Sequence, residues 1–115
     1  MSHSVFSGNR AVTDGGAIEN VEGQLHVNNS TMTGNRAGGN GGAIASKNPD
    51  ATRPVTTVSV TGGVIEHNVA GIDGGGIYSG PVFGTDTSVT LSGPVIAMNT
   101  PDNCSPQNVI AGCAN

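Results

Sequence analysis

Eight carboxylates are the residues of this chain best suited to acid–base or metal chemistry: Asp14, Glu19, Glu22, Asp50, Glu66, Asp73, Asp86 and Asp102. Glycan cleavage needs two of them clustered, or one set beside a cationic base. Aligning the chain with itself brings only Asp14 and Asp73 into one column, with Asn40 between them, each five residues after a recurring asparagine. Stacked oxygens of that kind can hold Ca²⁺. Asp or Asn before glycine also makes a turn unaided, and the turn is the expectation here. No cofactor or metal is expected.

Arg10 and Arg36 form a second column, directly after the recurring asparagine. They could present a short cationic strip to an acidic glycan, or be a solvated surface. Like charges on adjacent rungs need acids nearby, and Asp14 or Glu19 can serve. Tyr78 and Phe83 fall in an insertion, where an aromatic ring can stack on a sugar. His3, His26 and His67 occupy different columns, so they make no metal set, and none has a Ser or Cys at motif spacing. Thr31-Met32-Thr33 has the Thr-x-Thr form of ice-binding solenoids, but Val64 and Glu66 replace it in the next copy, so the array stops.

The elements that position these residues come from a repeat. Asn9, Asn35, Asn68 and Asn99 stand at spacings of 26, 33 and 31. Three residues before each lies an apolar column: Phe6, Met32, Ile65 and Ile96. Nine residues after the first three lie Ile18, Ile44 and Ile77. "LHV", "VSV" and "VTL" precede the later copies and alternate apolar with polar, the pattern of a half-buried strand. Each period therefore predicts three short strands. A recurring period of this length with aligned apolar columns predicts a stacked solenoid, in which every strand pairs in parallel with its equivalent one coil away. The fold class is all-β, a parallel β-helix of roughly three to four coils. Parallel crossovers favour a right hand. Asparagine at every copy of one corner can pass amide hydrogen bonds along the stack, and the double glycine allows a bend that a β-carbon would block. Residues 19–24, 45–57 and 78–88 read as insertions leaving the coil at one corner.

Composition agrees and excludes other classes. With 19 glycines in 115 residues and only 10% charged residues, the chain resembles neither a helical bundle nor a charged disordered segment. Four Lys and Arg against eight acids give a net charge of −4, too little positive charge for a nucleic-acid interface. No apolar run is long enough to insert in a membrane, and "MSHSVFSGNR" is not a signal peptide.

"FSGN" at 6–9 and "GGAI" at 15–18 and 41–44 resemble the paired FxxN and GGA[ILV] motifs of the chlamydial polymorphic outer-membrane protein repeats. The resemblance covers residues 5 to about 99. It departs at Met32, Ile65 and Ile96, which replace Phe, and at "GGGI" in 74–77. It implies a right-handed β-helix that is secreted or displayed on a bacterial surface and is often adhesive. The tail "NTPDNCSPQNVIAGC" looks more like that of actinobacterial β-helix repeat proteins.

The organisation expected is coils over 1–103, with repeats near 5–24, 25–57, 58–88 and 89–100, and a cap over 104–115. A Cys104–Cys113 disulfide would make that cap a lid, with Val109 and Ile110 over the last coil. Free thiols in an unordered tail are the alternative. The other end looks open, because the first copy begins at its second strand. Residues 1–4 are then a junction, or the exposed face supports a homo-oligomer. The favoured function is a non-enzymatic extracellular or cell-surface scaffold with adhesive display, its partner a glycan or host surface. Two alternatives stand beside it: a fragment of a glycan-binding or polysaccharide-degrading β-helix, and a module that self-assembles through its N-terminal end.

Overall fold

The computed structural model describes residues 1–48, 55–80, 87–106 and 110–114. These residues fold as an all-β parallel solenoid of four sheets. The first contains β1 (Val5–Ser7), β5 (Thr31–Thr33), β9 (Val64–Glu66) and β13 (Val95–Ala97) in that order. The second contains the two-residue strands β2 (Arg10–Ala11), β6 (Arg36–Ala37) and β10 (Val69–Ala70). The third contains β3 (Ile18–Val21), β7 (Ile44–Lys47), β11 (Ile77–Gly80) and β14 (Cys104–Ser105). The fourth contains β4 (Gln24–Asn28), β8 (Thr56–Thr61) and β12 (Thr87–Ser92). Neighbours within each sheet are parallel and come from successive coils.

Three strands per period is thus corrected to four. The extra one is the Arg-Ala or Val-Ala step after the ladder asparagine, and two residues are too few to show a period-two pattern. A second correction concerns the third strand. It begins at the isoleucine and runs three residues further, so Tyr78 lies in β11 rather than in an insertion.

The registers build the core. Phe6, Met32, Ile65 and Ile96 are direct partners across the first sheet. Ile18, Ile44 and Ile77 are partners across the third, and Cys104 takes the fourth rung of that column. Leu25, Val58 and Val89 stack in the fourth sheet, as do Val27, Val60 and Leu91. Central rungs are fully buried, while the terminal Phe6, Ile18, Leu25, Val89, Leu91 and Ile96 are half-buried because an end rung has a neighbour on one side only; the terminal Val27 and Cys104 are fully buried.

One chain of amides runs the length of the stack. Asn9 donates through both its backbone N–H and Nδ2 to Asn35 Oδ1 (3.0 and 2.9 Å). Asn35 does the same to Asn68 Oδ1 (2.9 and 2.9 Å), and Asn68 to Asn99 Oδ1 (2.9 and 2.9 Å). A backbone N–H can only donate, so the atom facing it must be the amide oxygen, and every side chain points the same way. The second Nδ2 proton reaches a carbonyl one coil back: Phe6 O from Asn35, Met32 O from Asn68 and Ile65 O from Asn99. Asn103 closes the series. Its Oδ1 accepts from Asn99 (3.1 and 3.0 Å), and its Nδ2 donates to Ala114 O (2.7 Å).

The residue before each ladder asparagine is left-handed: Gly8, Gly34, His67 and Met98 have φ of 67°, 67°, 57° and 55°. His67 and Met98 carry side chains there at a cost of roughly 1–2 kcal/mol each, which the fixed turn imposes. The double glycine has a matching cause. Gly41 has φ 71°, and a β-carbon on Gly42 would overlap the carbonyl oxygen of Gly75 one coil on.

The ends differ from expectation at one and not at the other. Residues 1–4 are not a free junction. Ser2 pairs in parallel with Asn28, Asn28 N donates to Met1 O, and His3 N donates to Asn28 O. His3, at φ 49°, then occupies the left-handed column of Asn29 (48°) and Gly62 (62°). The first coil therefore has a short rung in the fourth sheet, too brief and too polar to show as a strand in sequence. At the other end Cys104 and Cys113 form a disulfide with a Cα–Cα distance of 6.3 Å. Ile110 and Cys113 pack on the core; Val109 lies outside the described residues.

Replacing Asn68 by Ala removes the acceptor of two Asn35 donors and the donor to Met32 O. With all of these groups buried, it should cost about 3 kcal/mol, since each stranded partner costs about 1–3. Asn9→Ala, at the exposed end, should cost less than about 1 kcal/mol. Urea denaturation measures both, and equal midpoints for the two variants would contradict the ladder's role.

Candidate ligand face

The coil places the sequence-derived candidates on two faces. The second sheet carries the arginines. Arg10 and Arg36 are direct register partners in β2 and β6, both exposed, and Val69 follows them on the third rung. Their neighbours Ala11 and Ala37 turn toward the interior. With Val12 and Gly38 the two arginines line an open cleft. A β-carbon on Gly38 would overlap Val12 O, so the floor of the cleft is bare backbone.

The third sheet carries the other charges. Lys47, on β7, holds Asp14 Oδ2 at 2.8 Å and Glu19 Oε1 at 2.6 Å, both from the preceding coil. The expectation that Asp14 or Glu19 would sit with the arginines is therefore corrected: both acids turn to Lys47. Asp14 Oδ1 also accepts the backbone N–H of Asn40 at 2.6 Å, and Asp102 Oδ1 does the same for Gly74 at 2.7 Å. The acidic corner positions thus bond to backbone of the adjoining coil. Among the described residues no group of three or more His, Cys, Asp and Glu could hold a metal ion.

Burial alone would raise the Asp14 carboxyl, but the Asn40 bond and the Lys47 ammonium outweigh it and hold the carboxyl below its ordinary value. The same hydrogen bonds, to Asp14 first and Glu19 second, raise Lys47 against desolvation. Tyr78 pairs with Ala45 and Ser105 across the sheet. Its hydroxyl is pushed up by burial, then by the charges of Asp14 and Asp73. Phe83 lies outside the described residues, as do Asp50 and Asp86.

Lys47 and Asn103 were not singled out in sequence. Extending the alignment three residues past the isoleucine column puts Lys47 in the column of Val21, one coil from Glu19, so that signal was present. Asn103 follows Asn99 by four residues instead of a full coil, and periodicity is blind to it.

A polar corner lies between the third and fourth sheets. Ser79 Oγ bonds Thr87 Oγ1 at 2.7 Å. One coil earlier, the equivalent Ser46 and Thr56 hydroxyls are buried and have no hydrogen-bond partner among the described residues.

A repeating parallel coil with an inward asparagine ladder and glycine-paired corners is the architecture of a parallel β-helix repeat. Residues 3–20 and 29–47 match the family model of the Chlamydia polymorphic membrane protein repeat. The matched segments fall in the first two coils, and this similarity to a repeat of bacterial outer-membrane surface proteins supports a cell-surface location in general terms. Both matched segments follow one path, from the left-handed residue at His3 or Asn29 through the first and second sheets into the third. Residues 62–80, from Gly62 to the end of β11, trace the same path outside the match. No curated protein and no solved structure gives a significant match.

The ionic contacts generate a pH prediction. A depressed Asp14 contributes stability that is present above the ordinary carboxyl range and lost as pH falls through its folded value. A raised Lys47 contributes stability that is present below the ordinary amine range and lost as pH rises through its folded value. Lys47→Met should therefore lower stability at pH 7, by about 1 kcal/mol or less for so exposed a cluster. The difference from the parent should shrink toward zero only at about pH 2, as pH falls through the folded value of Asp14, which lies below the ordinary carboxyl range. Urea midpoints at the two pH values measure it; the same deficit at both would show that the lysine stem matters and its charge does not.

Proposed function

We propose that this chain is a non-enzymatic β-helix segment of a bacterial surface protein, a rigid scaffold that holds adhesive surfaces at a fixed spacing. The observation that carries the reading is the single-direction asparagine ladder, which locks every coil to the next and ends in the Asn103 and disulfide-bearing cap. The charge arrangement supports it too. A glycosidase needs one carboxyl kept protonated near neutral pH. Here the two carboxylates that approach each other share one ammonium, and Asp14 is held low. Incubation with a panel of plant, bacterial and animal polysaccharides should release no reducing ends and no unsaturated sugars. Release of either by this chain, abolished by Asp14→Asn, would replace the scaffold with a hydrolase or lyase.

A second reading, self-association through the N-terminal rung, is favoured by one specific feature. Asn9 Oδ1 is the ladder acceptor that receives no donor among the described residues, and Val5 beside it is 72% exposed. The edges of β1, β2 and β3 accompany it, whereas Met1–His3 cover only part of β4. Unpaired edges of this kind recruit another strand. Sedimentation from micromolar to millimolar concentration should show a dimer in the parent and a monomer in Val5→Asp, since an ion loses hydration on contact. A monomeric parent throughout the range would remove this reading.

A further inference from the structure

We propose that Arg10 and Arg36 form a clamp for one oxyanion, the sulfate or carboxylate group of an acidic glycan. The proposal deepens the reading of the chain as an adhesive surface scaffold and rests on it. The two residues are direct partners on adjacent strands, which places their backbones about 4.8 Å apart. Both side chains are exposed, and neither makes an ion pair among the described residues. The acids nearest in sequence, Asp14 and Glu19, are already held by Lys47. Two guanidinium groups one rung apart repel each other, and an anion seated between them turns that repulsion into two charge-assisted contacts. Guanidinium offers a planar fork of donors that matches a carboxylate or sulfate edge.

The size of the site sets what it takes. The cleft lined by Arg10, Ala11, Val12, Arg36 and Gly38 measures about 210 Å³. Small-molecule pockets run to roughly 300–1,000 Å³, so this one suits a charged group with part of one sugar ring rather than an enclosed oligosaccharide. Val12, 94% exposed at its rim, offers an apolar edge to the C–H face of that ring. The third rung carries Val69, so the strip stops after two charges and does not extend into a groove for a continuous polyanion. The net charge of −4 further disfavours general attraction of polyanions. A two-arginine contact alone should bind weakly, with Kd on the order of 1 mM, and many copies on one surface would raise the avidity.

Amide chemical shifts of the intact, oxidised chain test this. Probes are short dextran sulfate, polygalacturonate oligomers and neutral dextran of equal length. Sulfate or carboxylate oligomers should move the amides of residues 10–12 and 36–38, and added salt should reverse the movement. Neutral dextran should leave them unmoved. Which of the two anions binds more tightly identifies the group preferred. The Arg10→Gln, Arg36→Gln double variant should bind at least about tenfold more weakly, with core amides unshifted as proof of folding. Should that variant fail to fold, Arg10→Lys with Arg36→Lys keeps the charge and removes the fork, and should weaken binding by a smaller factor. Shifts confined to other residues, or unchanged affinity in a folded double variant, would overturn the clamp and leave the scaffold reading standing. Oligomer shortening during the titration would instead overturn the scaffold reading.

Discussion

The buried amide ladder is the interaction on which the rest of this structure depends. Asn35 and Asn68 are fully buried, and a buried amide without partners is costly. Each is satisfied only if the neighbouring coils sit at one height and one rotation. The ladder therefore fixes the rung register that the apolar columns, indifferent to direction, would leave loose. It also gives the stack a polarity: oxygen toward one end, nitrogen toward the other. At the C-terminal end Asn103 supplies the last acceptor and bonds Ala114 of the cap, which the disulfide ties through Cys113 to Cys104 on the third sheet. Asn103 thus completes the polar ladder and Cys104 the isoleucine column.

Close backbone approach follows from the same register. Once the coils are locked, Gly16 lies against the carbonyl of Gly42, Gly42 against that of Gly75, and Gly75 against that of Thr100. No β-carbon fits in this column. The left-handed residue before each asparagine is equally obligatory, which is why His67 and Met98 accept strain that Gly8 and Gly34 avoid. Where side-chain identity varies along a column, the backbone conformation does not.

Charge is distributed as a consequence of this interior. Asparagine meets the interior's need for polar partners, so the ionic side chains are left to the outer faces. Lys47 holds Asp14 and Glu19, and the arginines of the second sheet make no ion pair among the described residues. The partial match to a bacterial surface-protein repeat supports a cell-surface location in general terms for a chain whose charges face outward.

The sequence by itself determined the all-β class, the parallel stacking and the repeated members of the interior columns, though not Cys104 on the fourth rung of the isoleucine column. Translational repetition is the reason: residues at equal offsets from Asn9, Asn35, Asn68 and Asn99 must occupy equivalent places, so Phe6, Met32, Ile65 and Ile96 were bound to meet. What repetition does not encode, only the tertiary structure decided. The two-residue strands at Arg10, Arg36 and Val69 exist because neighbouring coils pair with them, and they carry no pattern of their own. Asp14 and Glu19 turned to Lys47 because a lysine stem can reach a coil away, a choice between cations that spacing cannot make. Asn103 supplies the last ladder acceptor and residues 1–3 pair with part of β4, where the period is broken and local chain geometry, not the repeat, satisfies these hydrogen bonds.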